Sequence, residues 1–534
     1  MKTPRNLIAL ASATSLLAAT ANTHAQYTLL HSFAGSPTDG RDPHGSLTQV
    51  GTTLYGMTPY GGSNYGMIFQ INTDGSGYTN LYSFAGYPID GSVPNGSLTL
   101  NGTNLYGITE WGGSQNAGTI FQIGTDGSGY AKLYWFGSVA NDGYQPLGSL
   151  TLNGTNLYGM ALDGGTSFNY GMLFHINTDG SGYTNLHSFA GPPNDGANPV
   201  GDLTLVGSTL YGMTSGGGSQ NTGTVFRINT DGSGYTNLHS FGSVANDGNQ
   251  PFGSFTLNGT TLYGMTSGGG SSGSGTVFRI NTDGSGYTNL HSFGSVANDG
   301  SQPCRSLMLA GSILYGMTFS GGSQNSGTVF LINTDGSGCT NLHSFGSVPD
   351  DGANPVGGVT LVGSTLYGTA YRGGVSNLGA IFSLTLPAPP GPLTVNKLWA
   401  RVNLNPAKAD MDTCSLAAMP ALGPAFSVTN QTVTVNIGDA ETTFALNAKG
   451  TSKSATNSCK LAYAKKTGVW TLTASMKKGS WAIPWAKYGV TNASTPKAGV
   501  TIEMPVSVLI GTNSFATDQP ALYKATAGKS GTLK

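Results

Sequence analysis

Residues Gly259–Phe293, GTTLYGMTSGGGSSGSGTVFRINTDGSGYTNLHSF, recur with small changes along most of the chain. Their Leu-Tyr-Gly core begins at Leu54, Leu105, Leu157, Leu210, Leu262, Leu314 and Leu366, in steps of 51, 52, 53, 52, 52 and 52 residues. A fixed period of this length marks a repeat whose unit cannot bury its apolar face alone. Within one unit, Ser254–Leu257, Thr261–Thr266, Thr276–Ile280 and Tyr287–Phe293 read as short strands. Asn258-Gly259 reads as a type I′ hairpin turn, and Thr282–Gly286 as a second turn. Strand alternation puts Leu262 and Tyr263 on opposite faces.

Four hairpin-linked strands repeated seven times predict an all-β chain built on a seven-bladed β-propeller. The last repeat stops one strand short after Ala380–Leu386, and Tyr27–Phe33, YTLLHSF, matches the missing fourth strand. The N-terminal strand is therefore expected to close the ring, which removes two edges that would template aggregation. In this arrangement the Asn-Gly and Thr-Asp-Gly-Ser-Gly turns share one face of the ring. The Gly-Gly loops and the crossovers between blades share the other.

The flanks differ from the repeats. Lys2 and Arg5, then the apolar run Leu7–Ala19 and small residues, read as an export signal over residues 1–25. Cleavage is expected after Ala21 or Ala25, and no later stretch is long and apolar enough for a membrane span. The propeller is assigned to residues 26–386, a Pro-rich linker, PAPPGP, to 387–392, and a β-sandwich of about eight strands to 393–534. Residues 26–392 hold six Lys/Arg against eighteen Asp/Glu, a net of −12, whereas 393–534 hold fifteen against six, a net of +9. A secreted or periplasmic monomer follows, with a polysaccharide or envelope component as partner and no nucleic acid. Four cysteines in an exported chain permit disulfides. Cys414 and Cys459 are expected to pair, while Cys304 and Cys339 start strands at opposite faces and are expected to stay apart.

Most shared polar residues read as scaffold. Asp-Gly-x-x-Pro occurs seven times, from Asp39…Pro43 to Asp351…Pro355, and reads as a shaped crossover in which Asp caps the turn and Pro fixes φ. His31, His187, His239, His291 and His343 exchange with Tyr82 and Tyr134, which suits an amphipathic side chain rather than a catalytic base. The Thr-Asp-Gly-Ser-Gly turns offer one carboxylate each, which leaves calcium a minor alternative to no cofactor at all. No catalytic residue is assigned.

The pair before Gly-Gly is where the copies diverge: Pro59-Tyr60, Glu110-Trp111, Leu162-Asp163, Ser215-Gly216, Ser267-Gly268, Phe319-Ser320 and Tyr371-Arg372. Aromatic and charged residues gather in repeats seven, one, two and three, and the crossover adds Arg41, Asp42 and His44. Sugar rings stack on aromatic faces, so Tyr60, Glu110, Trp111, Asp163, Tyr371, Arg372, Arg41 and His44 form the candidate ligand site. A secreted binding or adhesion protein that recognises carbohydrate is the leading expectation. A polysaccharide lyase or glycoside hydrolase using Glu110, Asp163 and Arg372, and a purely structural envelope protein, are the alternatives.

The combination of Asp-Gly-x-x-Pro, Leu-Tyr-Gly-Met-Thr, Gly-Gly, Gly-Thr-Val-Phe and Thr-Asp-Gly-Ser-Gly over about residues 27–386 resembles the GloVer (Gloeo/Verruco) tandem-repeat family. That resemblance implies an exported protein with no established activity, and in many members a C-terminal surface anchor. Here the C-terminal part is lysine-rich without a hydrophobic span, so anchoring by that route is not expected.

Overall fold

The Leu-Tyr-Gly strand is buried on both faces: Leu262 is inaccessible and Tyr263 nearly so. A strand covered on both sides needs a further layer packed against each face. The computed structural model shows how this is met. It describes residues 25–166, 169–386, 391–403, 412–420, 431–437, 440–454, 457–464, 469–479, 500–510, 513–526 and 530–533. The export-signal reading falls on residues 1–24, outside the described residues. Ala25–Leu386 forms one compact unit, and Pro387–Lys534 belongs to a second.

In the first unit each repeat is an antiparallel sheet, and each hydrophobic cluster is shared between neighbours. Tyr211, Met213, Val225 and Phe241 of the fourth repeat pack with Phe255, Leu262, Phe278 and Ile280 of the fifth. Tyr367 and Ile381 of the seventh repeat pack with Leu47, Leu54, Met67, Phe69 and Ile71 of the first in the same manner. Polar contacts follow the same order. The hydroxyls of Thr48, Thr99 and Thr151 donate to the carbonyls of Leu98, Leu150 and Leu203 in the next sheet, at 2.6, 2.5 and 2.6 Å. Thr360 of the seventh repeat donates to Leu47 of the first at 2.6 Å. Gln26–Ser32 pairs antiparallel with Ala380–Thr385, from Gln26 opposite Thr385 to Ser32 opposite Ala380, as the fourth strand of the last repeat.

Two sequence expectations need correction here. The Asp-Gly-x-x-Pro segment is itself a short strand: Gly248–Pro251 pairs with the far end of Thr261–Gly269, Gly248 opposite Gly269. In the second and sixth repeats it runs into the next strand without a break, as Gly91–Asn101 and Gly300–Ala310. The hairpin is also shifted by one residue. Asn258 pairs with Thr261, so Gly259 and Thr260 form the loop, and only the glycine has positive φ, at 62°. Those signs are those of a type II′ turn with glycine at its first central position, not type I′.

In the second unit, ten strands form one hydrogen-bonded path rather than two separate sheets. Its edge strands, Ala440–Ala445 and Thr451–Lys453, are joined by a turn of only five residues. Such a turn spans at most ~20 Å, whereas ten strands laid flat would hold their edges ~43 Å apart. The sheet must therefore roll on itself. No helix is present among the described residues to cover it, yet Val433, Val435, Ile437, Leu461, Leu472 and Val508 are buried. The expected sandwich is thus corrected to a single rolled sheet. Gly391 and Pro392, assigned to the linker, open its first strand, Gly391–Asn403. Trp470 is buried beside Tyr463, as a core residue; Trp481 and Trp485 lie outside the described residues.

The expected Cys414–Cys459 bridge is not formed, and both cysteines are buried and free. Cys414 lies opposite Met476 and Cys459 opposite Ala474, on strands flanking Val469–Gly479 from either side. Strands two places apart are separated by ~9.5 Å, beyond the ~7 Å reach of a disulfide. Burial pushes both thiols up to about 12.

Candidate functional site

The recurring Asp, His and Tyr residues explain one another. Asp39 accepts from its own Gly40 amide and the Ala34 amide, at 2.7 and 2.8 Å, and meets His31 Nε2 at 3.1 Å. Tyr78, just ahead of the strand Thr79–Ser83, donates to the same carboxylate and stacks on His31 at 3.7 Å between centroids. Where tyrosine replaces histidine the clasp persists: Tyr82 and Tyr130 both donate to Asp90, at 2.7 and 2.6 Å, and stack at 3.8 Å. Burial works to raise the carboxyls of Asp39, Asp195 and Asp247, yet the bonds from histidine, tyrosine and backbone amides hold them below the ordinary value. These carboxylates are committed to joining one repeat to the next. The Thr-Asp-Gly-Ser-Gly aspartates likewise hold their own turns, Asp74 accepting from the amide and hydroxyl of Ser76 at 2.9 and 2.6 Å.

The variable positions behave differently. Backbone register sets the second residue of each variable pair opposite the residue after Asp-Gly: Arg41 faces Tyr60, Ser92 faces Trp111, Tyr144 faces Asp163 and Ala353 faces Arg372. At the junction of the seventh and first repeats these side chains join into one network. The guanidinium of Arg41 lies 4.9 Å from the centroid of Tyr60 and 3.8 Å from the Asp42 carboxylate. Arg372 Nη1 donates to Asp42 at 3.0 Å, Nη2 donates to the Tyr371 hydroxyl at 3.1 Å, and the Tyr371 ring is 5.2 Å from His44. Asp42 is buried, whereas the side chains of Arg41 and Arg372 keep 43% and 38% of their surface exposed. Burial raises the Asp42 carboxyl, opposed by the two guanidiniums. The result is two half-exposed cations held over aromatic rings by a buried carboxylate, an arrangement able to bind sugar hydroxyls or a carboxylate.

Of the eight candidates, Arg41, His44, Tyr60, Tyr371 and Arg372 belong to this network. Glu110 instead hydrogen-bonds Asn95 and Trp111, and burial raises its carboxyl. Asp163 is raised by burial alone. Trp111 and Asp163 hold the equivalent positions in the second and third repeats, away from the junction.

Reading the sequence missed Arg305. It occupies the position that is glycine in every other copy, at Gly45, Gly96, Gly148, Gly201, Gly253 and Gly357. The signal lies in the copies themselves, six glycines and one arginine at the aligned position.

The fold and these contacts define an all-β tandem-repeat protein with a second β unit. The chain belongs to the Gloeobacter/Verrucomicrobia repeat family, whose sequence model matches residues 16–226 and 206–398. No curated protein sequence matches the chain. Among solved structures it is similar to PorZ, a bacterial surface component of the type-IX secretion system of Porphyromonas gingivalis. That match has 12% identity and a TM-score of 0.45, covering 92% of this chain and 61% of that one. A second similarity is to a putative 6-phosphogluconolactonase from Bacteroides fragilis, with 15% identity, a TM-score of 0.39 and coverage of 60% and 94%. A third is to a putative TolB from Agrobacterium tumefaciens, with 13% identity, a TM-score of 0.34 and coverage of 58% and 95%. Among the described residues, no helix is long and apolar enough to cross a membrane.

Proposed function

We propose that this chain is an exported binding or adhesion protein of the cell surface or extracellular space, whose first unit is a closed seven-bladed propeller. The ring reading is supported by the seventh repeat touching the first through the same threonine bond and the same apolar face that join the other repeats. The ligand reading rests on one observation, the network of Tyr60, Arg41, Asp42, Arg372, Tyr371 and His44 at that junction. Repeats four and five carry Ser-Gly at the positions of Tyr371-Arg372, so this sector differs from an otherwise uniform scaffold. The ligand is a carbohydrate of the envelope or of the surrounding polysaccharide.

A glycan array probed with the full chain, and with Arg372→Ala and Tyr371→Ala, tests this. Wild type should retain a restricted set of glycans and each variant should lose at least tenfold in affinity. An array without hits, or variants that bind as wild type does, would refute the site. New reducing or unsaturated ends after incubation with polysaccharides would replace binding with catalysis.

A further inference from the structure

The residues that follow His44, Asn95, Leu147, Val200, Phe252 and Val356 are all glycines, and each backbone lies hard against the next repeat. A Cβ on Gly45 would sit 1.9 Å from the carbonyl oxygen of Gly96, and one on Gly96 would sit 1.8 Å from that of Gly148. The same relation runs on through Gly148, Gly201 and Gly253, the last facing the carbonyl of Arg305 at 2.0 Å, and returns from Gly357 to Gly45 at 2.6 Å. In this tight backbone circle a single position carries a side chain, and it is an arginine with φ of 58°. Such a conformation is costly for a residue with a Cβ, and strain of this kind persists where the surrounding structure holds it in place.

The Arg305 side chain is buried and crosses to the second repeat, where Nη2 donates to Asn95 Oδ1 at 2.7 Å. Its guanidinium lies 5.5 Å from the ring of Phe252 in the fifth repeat. Among the described residues, Nε has no hydrogen-bond partner and no carboxylate oxygen lies within 4.0 Å of the guanidinium. The carboxylate of Asp202, in the fourth repeat, acts on it only at longer range and accepts from the Ser149 amide. His44 adds no charge, because burial and the field of Arg305 push its imidazole down to about 4. A buried cation left without a contact anion is expensive.

We propose that Arg305, with Asn95 beside it, forms a carboxylate-binding site inside the circle of glycines, with a cation of its own and His44 between it and the Arg372 network. A guanidinium edge presents parallel N–H groups that match the two oxygens of a carboxylate. Only one cation is present, Asp202 already lies in its field, and the half-buried Glu110 carboxyl hydrogen-bonds Asn95, so a monoanion fits better than a dianion such as sulfate. The site takes a free carboxylate or the carboxylate of a uronic acid.

Thermal unfolding of the full chain, titrated separately with acetate, glucuronate and sulfate at constant ionic strength, tests this beside Arg305→Gly and Asn95→Ala. Arg305→Gly restores the residue of the other copies and removes the strained, unpaired cation. Without added anion it should melt at or above wild type. Saturating carboxylate should raise wild-type Tm by about 2–5 °C, leave Arg305→Gly unmoved, and act more weakly on Asn95→Ala. Stabilisation by acetate and glucuronate alike assigns a free carboxylate site, and by glucuronate alone a uronate site. Equal shifts in wild type and Arg305→Gly, no shift in wild type, or sulfate acting as strongly as carboxylate would each overturn the proposal.

Discussion

The ring of Tyr27, near the start of the described chain, lies 4.4 Å from the ring of His343 with the planes 10° apart. It is the counterpart of the stacks of Tyr78 on His31, Tyr235 on His187 and Tyr287 on His239. The Tyr27 hydroxyl also accepts from the Gly352 amide at 3.1 Å, beside the Asp351 that His343 meets at 3.0 Å. The first described strand thus supplies the seventh repeat with the tyrosine that a following repeat supplies elsewhere.

Removing that tyrosine should loosen the junction. Tyr27→Ala is expected to cost about 3 kcal/mol, since the ring packs between His343 and Phe382. Tyr27→Phe keeps the stack and should cost about 1 kcal/mol. Urea denaturation of the full chain measures both, and a Tyr27→Ala midpoint equal to wild type would show that this strand anchors nothing.

The sixth repeat has an incomplete clasp, because Cys339 stands where tyrosine stands in the other copies. Burial opposes the charged form of His291, but Asp299 and Cys339 together raise its pKa to about 9. A histidine raised above its unfolded value of about 6.5 stabilises the fold fully below that pH and loses the contribution as pH rises through 9. Wild-type stability should therefore decline between pH 6.5 and 9, and His291→Gln should flatten that decline. Cys339→Tyr should restore the stack and add about 1 kcal/mol. Equal slopes for wild type and His291→Gln across this window would disprove the assignment.

Every cysteine is free in the described fold. Thiol titration of protein denatured without reductant should find four thiols per chain. Finding two, with Cys414 and Cys459 in one cross-linked peptide, would require the strand order around Val469–Gly479 to change.

Glycines in one repeat have unequal roles, and substitution should separate them. Gly259 has positive φ but open space around an added Cβ, so Gly259→Ala should cost about 1 kcal/mol. A Cβ at Gly253 would meet the Arg305 carbonyl, and φ there is 112°. Gly253→Ala is expected to cost at least ~3 kcal/mol, or to prevent folding. Denaturation midpoints for the pair decide it, and similar values for both would contradict the close-packed circle.

The sequence by itself determined the period, four of the strands of each repeat, and the place of Gln26–Ser32 beside Ala380–Thr385, because alternation and turn chemistry are local and were repeated seven times. It also separated scaffold from variation, since a residue common to the copies, such as Asp39 or Asp90, has the same neighbours in each. Its errors were of register and pairing, as with Gly259 and the strand Gly248–Pro251. Those depend on hydrogen bonds that a run of residue types does not encode. Only the tertiary structure decided which departures from the scaffold meet. Arg372 reaches Asp42 from the far end of the repeat array, and Arg305 crosses to Asn95, while Asp163 meets neither. Such contacts are set by how successive sheets turn about one another. Sequence distance carries no trace of that until the chain has folded.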